Sequence, residues 1–121
     1  MAPIVQAVVD AGMATKCCLQ AFQLARLQIV RSLNAQIEIG MLSDSSDEVT
    51  LKGLVDDIAM LGNASMLVNY TSTLANPDAV AYAFSKGVGW ASYTVNDTGV
   101  ALSLKEIGVV RVISDYPITL P

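Results

Sequence analysis

Apolar residues recur through the first forty positions with the spacing of a long helix. From residue 4 to residue 39 the chain contains no proline and one internal glycine, Gly12, and it is rich in residue types that favour helices. Pro3 suits the first turn of a helix, and Gly40 suits the end of one. The pattern therefore predicts one long N-terminal helix over residues 4–39.

The predicted helix has a wide apolar face and a narrow polar sector. A helix that packs against a core on one side shows a wider polar arc than this one. Two interpretations are open: the rest of the chain wraps the helix, or the helix packs against copies of the same chain. We favour the second interpretation. The predicted self-association surface consists of Cys18, Phe22, Ala25, Ile29, Val30, Leu33 and Ile37.

A second helix is predicted at residues 46–61. Ser45 and Glu48 have the spacing of a capping box, in which the serine caps the helix and the glutamate reaches back. Apolar residues then follow at helical spacing until Gly62, which suits a helix end. A short loop between the two predicted helices makes a helical hairpin.

The middle of the chain gives one ambiguous and one clear pattern. Residues 64–75 contain Val and Thr, which favour a strand, and Met and Leu, which tolerate a helix; we favour the helix. Asn76 and Pro77 are a helix cap followed by a first-turn proline. They predict a short helix from Pro77 to Lys86.

Beyond Gly89 the pattern changes to the period of two that is typical of strands. The predicted strands cover residues 90–95, 100–104 and 109–114. Three strands joined by short turns form an antiparallel β-meander. The segment from Asp115 to Pro121 holds two prolines and is expected to be an extended tail.

Together these elements predict an α+β fold: a long N-terminal helix in a helical hairpin, one or two shorter helices, and a small C-terminal antiparallel sheet. At 121 residues we expect a single domain, residues 1–121. Residues 1–88 would be mainly helical and residues 89–121 mainly β.

The composition favours an assembly. Hydrophobic residues make up 53% of the chain and charged residues 15%, against a usual charged share of about 25%. A chain with so few charges has difficulty covering itself with polar surface, and large exposed apolar patches usually mark interfaces. This agrees with a helix that packs against copies of itself.

The distribution of charge argues against nucleic acid and membrane partners. The net charge is −4, and the seven Lys and Arg residues are dispersed, so we expect no direct nucleic-acid binding. Asp10, Lys16 and Arg26 interrupt every apolar window long enough to span a bilayer. No basic segment precedes the apolar stretch, so no signal peptide is expected.

Cys17 and Cys18 are adjacent and without a third cysteine, which fits reduced thiols in a cytoplasm.

The sequence offers little catalytic chemistry. It has no His, which excludes a Ser-His-Asp triad or a Cys-His dyad within the chain. An acidic segment fails as a calcium loop because Lys52 and Val55 occupy ligand positions. That segment contains Asp44, Asp47, Glu48, Asp56 and Asp57. We interpret it as helix capping and a solvated helix face, and predict no catalytic residue, cofactor or metal ligand.

Three functional hypotheses follow. The leading one is a non-enzymatic structural subunit that self-assembles, as in a virion (capsid, decoration or tail) or a filament, with copies of itself and other structural proteins as partners. The alternative is a small binding, adaptor or chaperone domain that captures a partner protein in an apolar groove. The third is a His-free enzyme that uses carboxylates near Tyr70 or Tyr82.

Overall fold

Helices and strands alternate along the chain. The structure, a computed structural model, describes residues 2–109 and 111–117. The helices are α1 (Ala2–Asp10), α2 (Leu24–Leu33), α3 (Glu48–Ala59), α4 (Tyr70–Ala75), α5 (Pro77–Ser85) and α6 (Thr98–Glu106). The strands are β1 (Cys18–Ala21), β2 (Glu38–Ser43), β3 (Ala64–Asn69), β4 (Gly89–Tyr93) and β5 (Arg111–Val112).

The five strands form one sheet in which the spatial order is the chain order, and every neighbouring pair is parallel. Right-handed crossovers between successive strands place the connecting helices on one face of the sheet. Because the strands are parallel, their ends sort into a carboxyl edge and an amino edge. All the loops that follow a strand therefore meet at the carboxyl edge.

The apolar core lies between the sheet and the helices. Strands in a parallel sheet are buried on both faces, so their sequences are continuous apolar runs and do not alternate between apolar and polar residues. In β3, residues 64–68 are all buried, which is why this segment shows no clear period of two. The core residues contributed by β2, β3 and α3 are Ile39, Met41, Ala64, Met66, Val68, Leu51, Val55 and Ile58.

A buried polar network joins α4 to β4. The Thr73 hydroxyl donates to the carbonyl oxygen of Asn69 at 2.9 Å. It accepts from Trp90 Nε1 at 3.1 Å and from Ser92 Oγ at 2.9 Å. Thr73, Trp90 and Ser92 are all fully buried, so each of these groups needs a partner inside the protein. Thr73 therefore fixes the first helix after β3 against the next strand.

The predicted α+β fold with an antiparallel meander is wrong, because every strand pair in the sheet is parallel. The predicted helix over residues 4–39 is also wrong. Gly12 has a φ of 69°, in the left-handed region that suits a helix end, and β1, α2 and the start of β2 occupy the remainder. Pairing of β1 with β2 outweighs the local helix propensity of this segment.

The middle of the chain agrees better with the sequence. The helix predicted at residues 46–61 is confirmed as α3, but Asp47 rather than Ser45 caps it, since Asp47 Oδ2 accepts from the Thr50 amide at 3.0 Å. The helix predicted from Pro77 is confirmed as α5. The helix favoured for residues 64–75 is wrong in its first half, which is β3, and right in its second half, which is α4.

The C-terminal third differs most from the meander. The strand predicted at residues 90–95 corresponds to β4, but it pairs in parallel with β3 and β5. The strand predicted at residues 100–104 is part of α6, in which Ala101 and Leu104 are the buried residues, three positions apart as in a helix. The strand predicted at residues 109–114 contains β5 at 111–112. Residues 110 and 118–121, and with them most of the predicted tail, lie outside the described residues.

No helix in the described ranges is long and apolar enough to cross a membrane. Both cysteines are free and half-buried.

We predict that Thr73→Val lowers the free energy of unfolding by about 2 to 4 kcal/mol, because it leaves the buried Trp90 Nε1 and Ser92 Oγ groups without their partner. Urea unfolding followed by tryptophan fluorescence measures this loss. The matched control is Thr71→Val, which changes an exposed threonine of the same helix. Equal losses in the two variants would contradict the role given to Thr73.

Candidate functional site

The carboxyl edge gathers side chains from every loop that follows a strand, and all but one of those named below are polar. In open parallel sheets ligands bind outside the carboxyl ends of the strands, where loops can vary without disturbing the core. The residues found there are Phe22 after β1, Asp44 after β2, Asn69 and Tyr70 at the end of β3, Tyr93 and Thr94 at the end of β4, and Asp115 beyond β5.

A carboxylate and a phenol lie near one another at the centre of this edge. The Tyr93 hydroxyl donates to the Ser43 carbonyl oxygen at 3.3 Å. Burial, and then the negative charge of Asp44, raise the pKa of Tyr93 above its usual value of about 10. The phenol therefore keeps its proton and can donate a hydrogen bond, while the exposed Asp44 carboxylate can accept one. Asn69 lies beside them and caps α4 by accepting from the Ser72 amide at 2.8 Å.

The loop between β4 and α6 is tied to the segment after β5. Asn96 Nδ2 donates to Asp115 Oδ2 at 2.9 Å, and Asn96 Oδ1 accepts from the Asp115 amide at 2.9 Å. The Tyr116 hydroxyl donates to the Asn96 carbonyl oxygen at 3.1 Å. These bonds fix the position of the loop that carries Thr94 and Asp97.

A cleft of about 250 Å³ lies between this loop and the start of α4. We call it the strand-end cleft. Its described lining residues are Tyr70, Thr94, Val95, Asn96, Asp97 and Val100. It combines hydroxyl, amide and carboxylate groups with the partly exposed side chain of Val100, and Thr94 places it next to Tyr93. The cleft is thus a polar subsite that adjoins the Asp44–Tyr93 pair.

A larger cavity, of about 380 Å³, lies at the amino edge; Lys16, Cys17, Cys18 and Arg111 are among its lining residues, and the Arg111 side chain is already engaged. Arg111 donates to both carboxylate oxygens of Glu38, at 3.0 and 2.6 Å, and to Ser65 Oγ at 2.6 Å. Gly89 permits this crossing of β4, because a Cβ there would lie 2.7 Å from Ser65 Oγ. Burial and the charge of Glu38 raise the pKa of Cys18 to about 11, so its thiol is protonated at neutral pH. We interpret this cluster as a clasp that holds β5 to the sheet.

The residues predicted for self-association do not form one helix face. Cys18 lies in β1, Val30 and Ile37 are fully buried in the core, and Phe22, Ile29 and Leu33 are about half exposed. Ala25 lies exposed in the first turn of α2. Contact of the exposed members with another chain stays a prediction, although the single helix face on which it depended does not exist.

The carboxylates of the acidic segment have different structural roles and do not form one cluster. Asp47 caps α3, Glu48 pairs with Lys52 at 3.1 Å, and Asp56 accepts from the Tyr82 hydroxyl at 2.6 Å on the outer surface of the helices. Only Asp44 of this group is at the end of a strand. Within the described ranges, no three His, Cys, Asp or Glu residues are grouped so that they could hold a metal ion.

Sequence reasoning dismissed Asp44 with the rest of the acidic segment and did not select Tyr93 or Asp97 as site residues. A signal exists for two of them: Asp44 follows the mainly apolar run at residues 39–43, and Tyr93 follows the buried run at residues 90–92. A polar residue at the end of such a run lies at the carboxyl edge only if the strands are parallel. Because the strands were predicted to be antiparallel, these residues were not expected to lie at one edge of the sheet.

We predict that Glu38→Gln lowers the free energy of unfolding by up to about 1 kcal/mol at pH 7, since the ion pair is partly exposed. The hydrogen bond from Arg111 outweighs burial and lowers the pKa of Glu38 below its ordinary value of 4.5. A lowered folded-state pKa stabilises the protein above pH 4.5 and ceases to do so as the pH falls. The difference between wild type and variant should therefore shrink towards pH 3.

Urea unfolding at pH 7 and pH 3 measures this difference, with Glu106→Gln, an exposed glutamate of α6, as the control. A difference of the same size at both pH values would show that Glu38 does not act through its charge.

Comparison with known proteins gives a consistent result. The family model "Glycerophosphoryl diester phosphodiesterase family" matches residues 1–119. A crystal structure described as a glycerophosphoryl diester phosphodiesterase from Silicibacter pomeroyi DSS-3 is similar, with a TM-score of 0.78 and 21% identity over 96% of this chain and 40% of that one. A glycerophosphodiester phosphodiesterase from Parabacteroides distasonis ATCC 8503 has a TM-score of 0.76 and 20% identity over 94% of this chain and 45% of that one. The comparison with curated proteins found no match.

These comparisons correct the functional prediction. The chain spans less than half the length of the two solved structures, and its parallel strands alternating with helices correspond to part of their TIM-barrel-type fold. A structural subunit of a virion or filament is wrong, and so is the prediction that the chain is not enzymatic, because the matching family is one of phosphodiesterases.

Proposed function

Because this chain belongs to the glycerophosphoryl diester phosphodiesterase family, we propose that it takes part in the hydrolysis of a glycerophosphodiester, with the carboxyl edge of the sheet as the substrate-binding site. The family match over residues 1–119 is the observation that carries this proposal. The edge is favoured over the larger amino-edge cavity because ligands of parallel sheets bind outside the carboxyl ends of the strands. In the amino-edge cavity Arg111 is paired with Glu38, and the Cys18 thiol is protonated at neutral pH.

The Asp44–Tyr93 pair supplies the groups that this reaction requires. In phosphodiester hydrolysis a water oxygen bonds to phosphorus while the bond from phosphorus to the alcohol oxygen breaks. The water gives up a proton, and the departing alcohol oxygen takes one. Asp44 is the proposed proton acceptor. Tyr93, whose hydroxyl is protonated at neutral pH and lies close to Asp44, is the proposed donor to the departing oxygen.

The hydrogen bonds around the pair support this assignment. Asn69 is anchored by capping α4, and in the free protein the Tyr93 hydroxyl donates its one hydrogen to the Ser43 carbonyl, so both side chains are held before a substrate arrives. In the proposed reaction the Tyr93 hydroxyl turns this hydrogen from the Ser43 carbonyl to the departing oxygen. Catalysis gains most from groups whose positions are fixed in advance. A proton moving through solvent from Asp44 to the Tyr93 phenolate returns both groups to their starting states after each turnover.

We expect the protein to release sn-glycerol 3-phosphate and choline from sn-glycero-3-phosphocholine. Tyr93→Phe should lower kcat/KM roughly 10- to 100-fold, and Asp44→Asn roughly 100-fold or more, because each removes a proton-transfer group. An enzyme-coupled assay for glycerol 3-phosphate measures both.

The controls remove the same groups elsewhere. Tyr82→Phe removes a hydroxyl on the outer surface of the helices, and Asp57→Asn removes an exposed carboxylate of α3. Both should keep the wild-type rate. An inactive wild-type protein, or equal losses in the site variants and the control variants, would contradict the proposal.

A further inference from the structure

The strand-end cleft holds polar groups that the fold itself does not use. Tyr70 and Thr94 contribute hydroxyls, and the Asp97 carboxylate makes no side-chain hydrogen bond to cap α6 among the described residues. The neighbouring Asn96, by contrast, is fully engaged with Asp115 and Tyr116. The cleft therefore has hydrogen-bond donors and acceptors without partners in the described part of the chain, on a loop that Asp115 and Tyr116 hold in place. Such a cleft is suited to a polar ligand.

The charge of the cleft decides which ligand it favours. None of its described lining residues is Lys or Arg, and Asp97 brings a negative charge to it. Asp115, bonded to Asn96, brings a second negative charge close by. A phosphate would meet two like charges and no cation, whereas an ammonium group would be attracted to both. The cleft is therefore suited to the end of a diester that does not carry the phosphate.

The remaining lining residues also suit a substituted ammonium. The ring of Tyr70 offers an aromatic surface of the kind that attracts quaternary ammonium groups. The partly exposed Val100 provides an apolar contact for methyl groups. Thr94 follows Tyr93 directly, so an alcohol that leaves the phosphorus beside Tyr93 can extend into the cleft.

We propose that the strand-end cleft binds the alcohol substituent of the diester and that Asp97 selects substituents carrying an ammonium group, such as choline, over uncharged ones. This inference rests on the proposed function for its substrate. Gly99 assists, because a Cβ at that position would lie 3.3 Å from Asp97 Oδ2 and would crowd the carboxylate.

The test compares two diesters that share glycerol 3-phosphate and differ in the alcohol: sn-glycero-3-phosphocholine and glycerophosphoglycerol. We expect wild type to show a higher kcat/KM for the choline diester. Asp97→Asn keeps the shape of the side chain and removes its charge, so the ratio of the two kcat/KM values should fall about tenfold. The control Asp78→Asn changes an exposed carboxylate in the first turn of α5, outside the cleft, and should keep the wild-type ratio. An unchanged ratio in Asp97→Asn would overturn the proposal.

A binding measurement separates this inference from the proposed function. Choline chloride is titrated into each protein and followed by NMR; Asp97→Asn should weaken binding at least about fivefold, and Asp78→Asn should not. Choline binding that depends on Asp97 in a protein that hydrolyses neither diester would support the cleft and refute the proposed function. Hydrolysis of both diesters with choline binding indifferent to Asp97 would refute the cleft and support the proposed function.

Discussion

The parallel pairing of five strands in chain order is the constraint on which the rest of the structure depends. Each strand must return to the same starting edge, so a helix crosses between every two strands and the loops that follow the strands meet at one edge. Ser43, Asn69 and Tyr93 are far apart in the chain, and this pairing brings them together. Structural contacts and candidate catalytic groups therefore lie at opposite edges of the sheet. The Glu38–Arg111 clasp holds the strands at the amino edge, and the proposed catalytic groups lie at the carboxyl edge.

Local signals predicted the helices whose starts are marked in the sequence and failed where pairing decides the structure. Helix α3 could be predicted from the cluster of capping residues at Ser45–Glu48, although Asp47 is the cap, and α5 from its first-turn proline. The segment around Cys18 could not, because its residues are good helix formers and become a strand only when β2 lies alongside. The alternation of Val100, Leu102 and Leu104 resembled a strand, but the segment is a helix that packs against α4 and buries Ala101 and Leu104.

The candidate site was harder to predict than the fold because its meaning depends on the direction of the strands. In the sequence, Asp44 is an acidic residue in a predicted loop and Tyr93 is an aromatic residue in a predicted strand. The parallel sheet brings the two residues close together. The absence of His from the sequence argued against catalysis too strongly, since carboxylates and phenols also transfer protons. Asp97 carried no signal at all: it follows a turn-like Asn, and its role appears only with the cleft that it lines.

The central claim is that substrate binds at the carboxyl edge and not in the larger cavity at the amino edge. Amide chemical-shift mapping of the ¹⁵N-labelled protein during a titration with sn-glycero-3-phosphocholine tests it most directly. The structure predicts that the amides that shift belong to residues 43–45, 69–71 and 93–97, which follow the ends of β2, β3 and β4. Shifts confined to residues 15–18, 36–38 and 63, which line the amino-edge cavity, would contradict the claim.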